Sequence, residues 1–239
     1  MEIFVIKPEL DRFHSGEPLN LELKFMNEYF GIIAIRKGSK GLADKNRQSY
    51  EGIPLYSIAC DRFRNLQIPF LVSTDYHLEE LRCLLEKEYH SRPSDLATDT
   101  ADISDVIREI IIKRDLQEKK IIFVQVTSPR TDAELVKRAI DTFEENGASS
   151  MVATVVKTDP GILKHGCVDN GRFIPLKDKK FCFANRQELP QTYKMTGAIY
   201  VFNASDYLRS NGFPGLEIIP LEVRKELSLD IDTKEDFDL

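Results

Sequence analysis

With 239 residues, 42% of them hydrophobic and 30% charged, the chain is long and apolar enough to bury a core, which excludes disordered and collagen-like classes. Its longest apolar runs, such as Ile110–Ile112 and Ile121–Val124, fall far short of the ~20 residues of a membrane span. The N-terminus MEIFVIKPELDRF shows no secretory h-region, so a cytoplasmic protein without membrane contact is expected. A net charge of −6 with interspersed signs lacks a general nucleic-acid footprint. Four scattered cysteines without a C-x-x-C pair argue against zinc and against a disulfide framework.

In chain order, residues 1–29 stand outside the pattern that follows and form an N-terminal extension, with Glu2–Ile6 and Leu19–Phe25 as candidate edge strands. Gly31–Ile35 reads as the first buried strand. From Pro54, a good first helical residue, Leu55, Ile58, Ala59, Phe63 and Leu66 keep helical spacing. Phe70–Ser73 is a second strand, His77–Tyr89 a helix with Leu78, Leu81, Leu84 and Leu85 inward, and Ile103–Gln117 another helix. Ile121–Gln125 is a strand. Thr131-x-x-Glu134 then reads as a capping box opening a helix that runs through Glu145, closed by Asn146–Gly147. Ser150–Val156 is a strand, Lys157–Lys194 an irregular excursion rich in Gly, Pro, Lys and Asp, and Gly197–Asn203 a returning strand. Strands alternating with amphipathic helices predict an α/β sandwich on a mainly parallel sheet.

Two constellations carry chemistry. Arg36 to Arg47, RKGSKGLADKNR, holds five bases and one acid, a local charge of +4 in an acidic chain. Its glycines allow close backbone approach while Arg36, Lys40 and Lys45 supply charge for a phosphate chain. It is neither a Walker loop nor a G-x-G-x-x-G fingerprint, and taken alone it reads equally well as a solvated basic turn. Its place after the first strand favours a ligand, because open α/β sheets bind at the carboxyl ends of their strands. The second is Asp230-Ile231-Asp232. In an extended segment residues i and i+2 share a face, so both carboxylates can converge on a hard divalent cation. Solvated acids are the commoner explanation of a lone D-x-D. Together the two suggest phosphoryl or nucleotidyl transfer. The four histidines lack ligand spacing, and Ser73 and Ser128 have no His partner in sequence.

An ordered series of segments now resembles one family: IIAIRKGSKGLADKN, GIPL at Gly52, VSTD at Val72, RPSDLATDTA at Arg92, VQVTSPR at Val124, NRQELPQTYKMTGAIYV at Asn185 and LDIDTKEDF at Leu229. The series looks like the acylneuraminate cytidylyltransferases, or CMP-sialic acid synthetases. The related Kdo-activating enzymes carry arginine where this chain has Lys40. The resemblance implies a Rossmann-like nucleotidyltransferase domain over residues 30–239, in three layers, with 157–194 as a small dimerisation insert in a homodimer. It also implies transfer of a cytidylyl group from CTP to a nine-carbon 3-deoxy-2-ulosonic, sialic-type acid, with release of pyrophosphate. Residue by residue, it implies nucleotide contacts from Arg36, Ser39, Lys40, Lys45, Asn46, Ser73, Asp75 and Arg92, and sugar contacts from Gln125, Arg186 and Tyr200. Asp230 and Asp232 would hold Mg²⁺, with Mn²⁺ as a substitute, and Arg36, Lys40 and Asp232 would carry catalysis. Lys37 replaces a common glycine, Thr196 a common asparagine and Lys194 a common arginine. Residues 1–25 precede the family's usual start, near Met26, and are expected to have no catalytic weight. A non-catalytic nucleotide-sugar-binding homologue and a nucleotidyltransferase for another nucleotide or sugar stand as the alternatives.

Overall fold

The computed structural model describes residues 27–38, 42, 44–146 and 150–238. The proposed strands Glu2–Ile6 and Leu19–Phe25, and the loop residues Ser39 and Lys40, lie outside them.

A seven-stranded sheet organises the chain. Its strands are β1 (Tyr29–Ala34), β4 (Phe70–Thr74), β5 (Tyr89–Ser91), β6 (Lys120–Val124), β7 (Ser150–Thr158), β10 (Thr192–Asn203) and β11 (Glu217–Val223). Their order is β11-β7-β10-β6-β1-β4-β5, and β10 alone runs against its neighbours β6 and β7. Tyr29 pairs with Lys120, so it belongs to the sheet and not to the N-terminal extension. Two short hairpins stand apart: β2 (Ser49–Tyr50) with β3 (Ile53–Pro54), and β8 (Gly166–Asp169) with β9 (Arg172–Pro175).

Alternation along the strands feeds two cores. On one face, Ile33 and Val124 pack with Leu55, Ala59 and Phe63 of helix α1 (Leu55–Asn65) and with Val136, Ile140 and Phe143 of α3 (Ala133–Asn146). On the other, Ile32 and Phe123 pack with Ile107 and Ile110 of α2 (Ile103–Lys113). A one-turn helix, α4 (Lys180–Phe183), lies in the excursion, and α5 (Ala204–Arg209) follows β10, adding Tyr207 to the second core. The result is the expected three-layer, Rossmann-like α/β arrangement. Gly31 permits the close packing of β1 on α1: a Cβ there would stand 2.6 Å from the Phe63 ring.

Four expectations change. The helix proposed over His77–Tyr89 is two single 3₁₀ turns, Leu78–Glu80 and Glu86–Glu88, followed by β5. Glu80 and Glu88 accept bonds from the backbone N–H groups of His77 and Leu85, closing each turn on itself. Leu81 and Leu84 are buried as expected, but Leu85 is exposed. The cap of α3 is Asp132, whose Oδ1 accepts from Leu135 N at 2.8 Å. Thr131, the cap read from sequence, is buried with Oγ1 unpartnered. The helix read as Ile103–Gln117 ends at Lys113, because Asp115 turns left-handed (φ 52°) and Leu116 N closes back on Ile111 O. The excursion is also shorter at both ends, since β7 continues to Thr158 and β10 begins at Thr192.

Candidate functional site

The carboxyl ends of β1, β5 and β6 open into a cleft of about 390 Å³. Arg36, Lys45, Asn46, Arg92, Gln125, Asp230 and Asp232 line it, all seven named from sequence. Phe123, Val106 and Ile103 supply an apolar wall. The topology explains the convergence, because parallel strands deliver their loops to one edge.

Each cation has a support. Arg36 leaves β1 and pairs with Asp99 across the cleft, while its own carbonyl accepts from Asn46 Nδ2 at 3.1 Å. Lys45 Nζ stands 2.9 Å from Asp232 Oδ1. Arg92 is buried, donating from its guanidinium to Ser73 O at 2.8 Å and more weakly to Ser73 Oγ. That burial pushes its pKa down to about 10. Lys37 turns away from the cleft to Glu80, 2.8 Å from its Oε2 and over the Tyr76 ring. Asp75 accepts from Lys37 N at 2.8 Å and so fixes the exit of β1.

Ser73, Asp75 and Tyr200 therefore support the cleft and do not line it. Tyr200 packs between Phe123 and Phe213. Burial, with Asp230's charge second, holds its hydroxyl above the usual phenol range. Arg186 is not brought to the cleft within one chain; it sits exposed in the insert, 3.0 Å from Asp159 Oδ2.

The acidic pair is built around Ile231, which is fully buried and donates from N to Thr127 O at 2.8 Å. Asp236 Oδ2 accepts from the backbone of Asp232 and Thr233, fixing the next turn. Asp230 is half-buried. Desolvation raises its pKa, opposed by a hydrogen bond from Thr127, while the neighbouring charge of Asp232 raises it further. Its Oδ1 is buried with no hydrogen-bond partner. An orphaned carboxylate oxygen beside a second carboxylate is a donor set that fits a hard divalent cation. Among the described residues no group of three or more His, Cys, Asp or Glu forms a closed cage, so such an ion would take its remaining ligands from phosphate and water.

Gly197 lies in the bend of β10, where the register shifts between Met195 and Tyr200. At φ 79° it meets the Gln125 amide so closely that a Cβ would fall 2.6 Å from Oε1. The glycine thus leaves room for the glutamine in the cleft.

Asp99, Thr127 and Arg62 were not anticipated. Arg36 and Asp99 are 63 residues apart, and Arg62 and Thr131 are 69 apart, beyond any local pattern. The one available signal was Arg62 itself, a charge within the apolar stripe of α1.

A cytidylyltransferase family model matches residues 30–215. This chain belongs to the cytidylyltransferase family. It is 31% identical over 216 residues to an N-acylneuraminate cytidylyltransferase of Streptococcus agalactiae serotype III, covering 86% of this chain and 51% of the relative. It thus spans about half the length of that relative. A CMP-N,N'-diacetyllegionaminic acid synthase of Legionella pneumophila is 25% identical, with 87% of this chain and 92% of that one covered. In fold, the chain matches a CMP:2-keto-3-deoxy-manno-octonic acid synthetase solved with CTP, at TM-score 0.65 and 15% identity, over 88% of this chain and 95% of that one. No helix among the described residues is long and apolar enough to cross a membrane.

Proposed function

We propose that this chain transfers the cytidylyl group of CTP to a sialic-type 3-deoxy-2-ulosonic acid, releasing pyrophosphate. The observation that carries the reading is the facing arrangement of Arg36, Lys45 and Arg92 with Asp230 and Asp232 in one cleft. Cations for a polyphosphate and a carboxylate pair for its metal are what nucleotidyl transfer asks of a protein.

The sugar's anomeric hydroxyl attacks the α-phosphorus in line. A new P–O bond forms as the bond to the β-phosphate oxygen breaks, pyrophosphate leaves, and the hydroxyl proton passes to solvent. No protein nucleophile is required. Arg36 and Lys45, with Lys40 from outside the described residues, offset the triphosphate charge, Ser39, also outside them, adds a hydroxyl contact to the nucleotide, and Asn46 fixes the loop through Arg36 O. Arg92, with Ser73 and Asp75 behind it, shapes the nucleotide side. Gln125 and the neighbourhood of Tyr200 serve the sugar side. Asp230 and Asp232 would hold Mg²⁺ or Mn²⁺, which when bound supplies charge neutralisation at the phosphates and aids departure of the leaving group. The setting is the cytoplasm, in keeping with four free thiols.

Pyrophosphate release tests this reading across the four nucleoside triphosphates, each with neuraminic, legionaminic and pseudaminic acids. Release with CTP and one of these acids is expected. Nucleotide binding without release would favour the non-catalytic homologue, and release with another triphosphate would change the substrate.

The reading extends to a homodimer formed through the insert. Val168, Phe173, Leu176 and Phe183 are exposed there, Phe183 at 81%, an apolar surface of the kind that marks an interface. Arg186 stands in the same segment and would serve the partner's sugar site. Light scattering at micromolar concentration is expected to give twice the 27.4 kDa chain mass; a fully active monomer would refute the dimer.

A further inference from the structure

Arg62 stands four residues after Ile58 and seven after Leu55, in the stripe that α1 turns to the core. Only 3% of it is exposed. Leaving a guanidinium there without compensation would be costly. Its hydrogen bonds run to backbone carbonyls: Nε to Thr131 O at 2.6 Å, Nη2 to Ser128 O at 2.5 Å, and Nη1 more weakly to Gln125 O at 3.4 Å. Burial pushes its pKa down to about 10, with Asp132 the main opposing charge.

All three carbonyls belong to the turn that leaves β6. The same turn leaves the Ser128 and Thr131 hydroxyls buried without partners, and each such group carries an uncompensated desolvation cost. The turn's own side chains would not choose this conformation, so the guanidinium clamp holds it. Two connections leave the turn for the cleft. Gln125 enters it beside Gly197. Thr127 accepts from Ile231 N, the amide between Asp230 and Asp232, and its side chain bonds Asp230.

We propose that Arg62 is a positioning residue for the cation-binding acids: by clamping residues 125–131 it sets the Thr127 carbonyl on which the Asp230–Asp232 segment hangs. It does not line the cleft. The inference rests on the nucleotidyl-transfer reading above, and it places the metal response of the enzyme under a side chain on the far side of the turn.

Arg62→Lys keeps the charge but loses the planar fork that serves several carbonyls at once, and Arg62→Gln removes the charge. The magnesium concentration for half-maximal turnover should rise at least tenfold in both, with kcat lowered and KM for CTP at saturating metal within twofold of wild type. Mn²⁺ binding to the enzyme–CTP complex, read by electron paramagnetic resonance, should weaken in proportion, while CTP binding in EDTA stays unchanged. Ser128→Ala combined with Thr131→Val, which removes only the unpaired hydroxyls, should raise the melting temperature and keep the wild-type metal response. Should neither Arg62 variant fold, this double variant decides: a shifted Mn²⁺ affinity there would mean that the hydroxyls, not the clamped carbonyls, set the acids. Wild-type metal response and Mn²⁺ affinity in folded Arg62→Lys, or a uniform loss of every parameter matching its unfolded fraction, would overturn the proposal. Absence of CTP-dependent pyrophosphate release from the wild-type chain would instead count against the proposed function.

Discussion

Asp232→Asn is expected to lower turnover on the order of 10³-fold, about 4 kcal/mol of barrier, while the fold stays intact. The carboxylate is 70% exposed and meets Lys45 at 2.9 Å, and such a pair contributes at most about 1 kcal/mol to stability. Its larger role lies in exchange. Without ligand Lys45 neutralises Asp232; under the proposed reaction the lysine would turn to phosphate and the acid would hold the cation. Removing the acid frees the lysine, so CTP binding in EDTA should tighten even as turnover collapses. Calorimetry and steady-state kinetics on one preparation read both effects. Near wild-type turnover at saturating Mg²⁺ would show that the acidic pair is not the metal site.

Lys45→Ala should raise KM for CTP by about ten- to a hundredfold, the worth of one charge-assisted bond to phosphate in a partly desolvated cleft. The Lys45 side chain is only 12% exposed, so solvent replaces it poorly. Lys37→Ala, in the same loop, should change KM less than twofold, because Lys37 is already turned to Glu80. Equal damage from both would mean that the loop's charge acts as a diffuse field and not through placed side chains. The Lys45→Ala and Asp232→Asn effects should also fail to add, since the two groups are partners.

The contrast between Lys37 and Lys45 shows where sequence reasoning reached and where it stopped. A strand followed by a glycine-rich basic loop pointed to the sheet edge at which the cleft opens, because period-2 and period-3.6 patterns report which face is buried. The direction of each lysine depends on Glu80 and Asp232, 43 and 187 residues away, and no local pattern encodes that. The same limit applied to fold. α1 and α3 were legible because their apolar stripes are long. The Leu78–Leu85 leucines mimic a helical stripe, yet only Leu81 and Leu84 are buried, and Glu80 and Glu88 use their carboxylates to close single turns. β11 went unread because Pro220 and the acids Glu217 and Glu222 disguise an edge strand, the one place where a sheet tolerates proline. In the site, Arg36, Lys45, Asn46, Arg92, Gln125, Asp230 and Asp232 converge. Ser73 and Asp75 stand one layer behind, since a strand end must also be held in place.

Tracing one oxygen tests whether the sugar hydroxyl attacks the α-phosphorus. The sugar acid labelled with ¹⁸O at its anomeric hydroxyl is incubated with CTP and Mg²⁺, and the products are weighed by mass spectrometry. A CMP ester with the label in the bridging oxygen is expected, with one pyrophosphate released for each ester formed. Pyrophosphate released without ester, or an ester lacking the label, would contradict attack of the sugar on the α-phosphorus in this cleft.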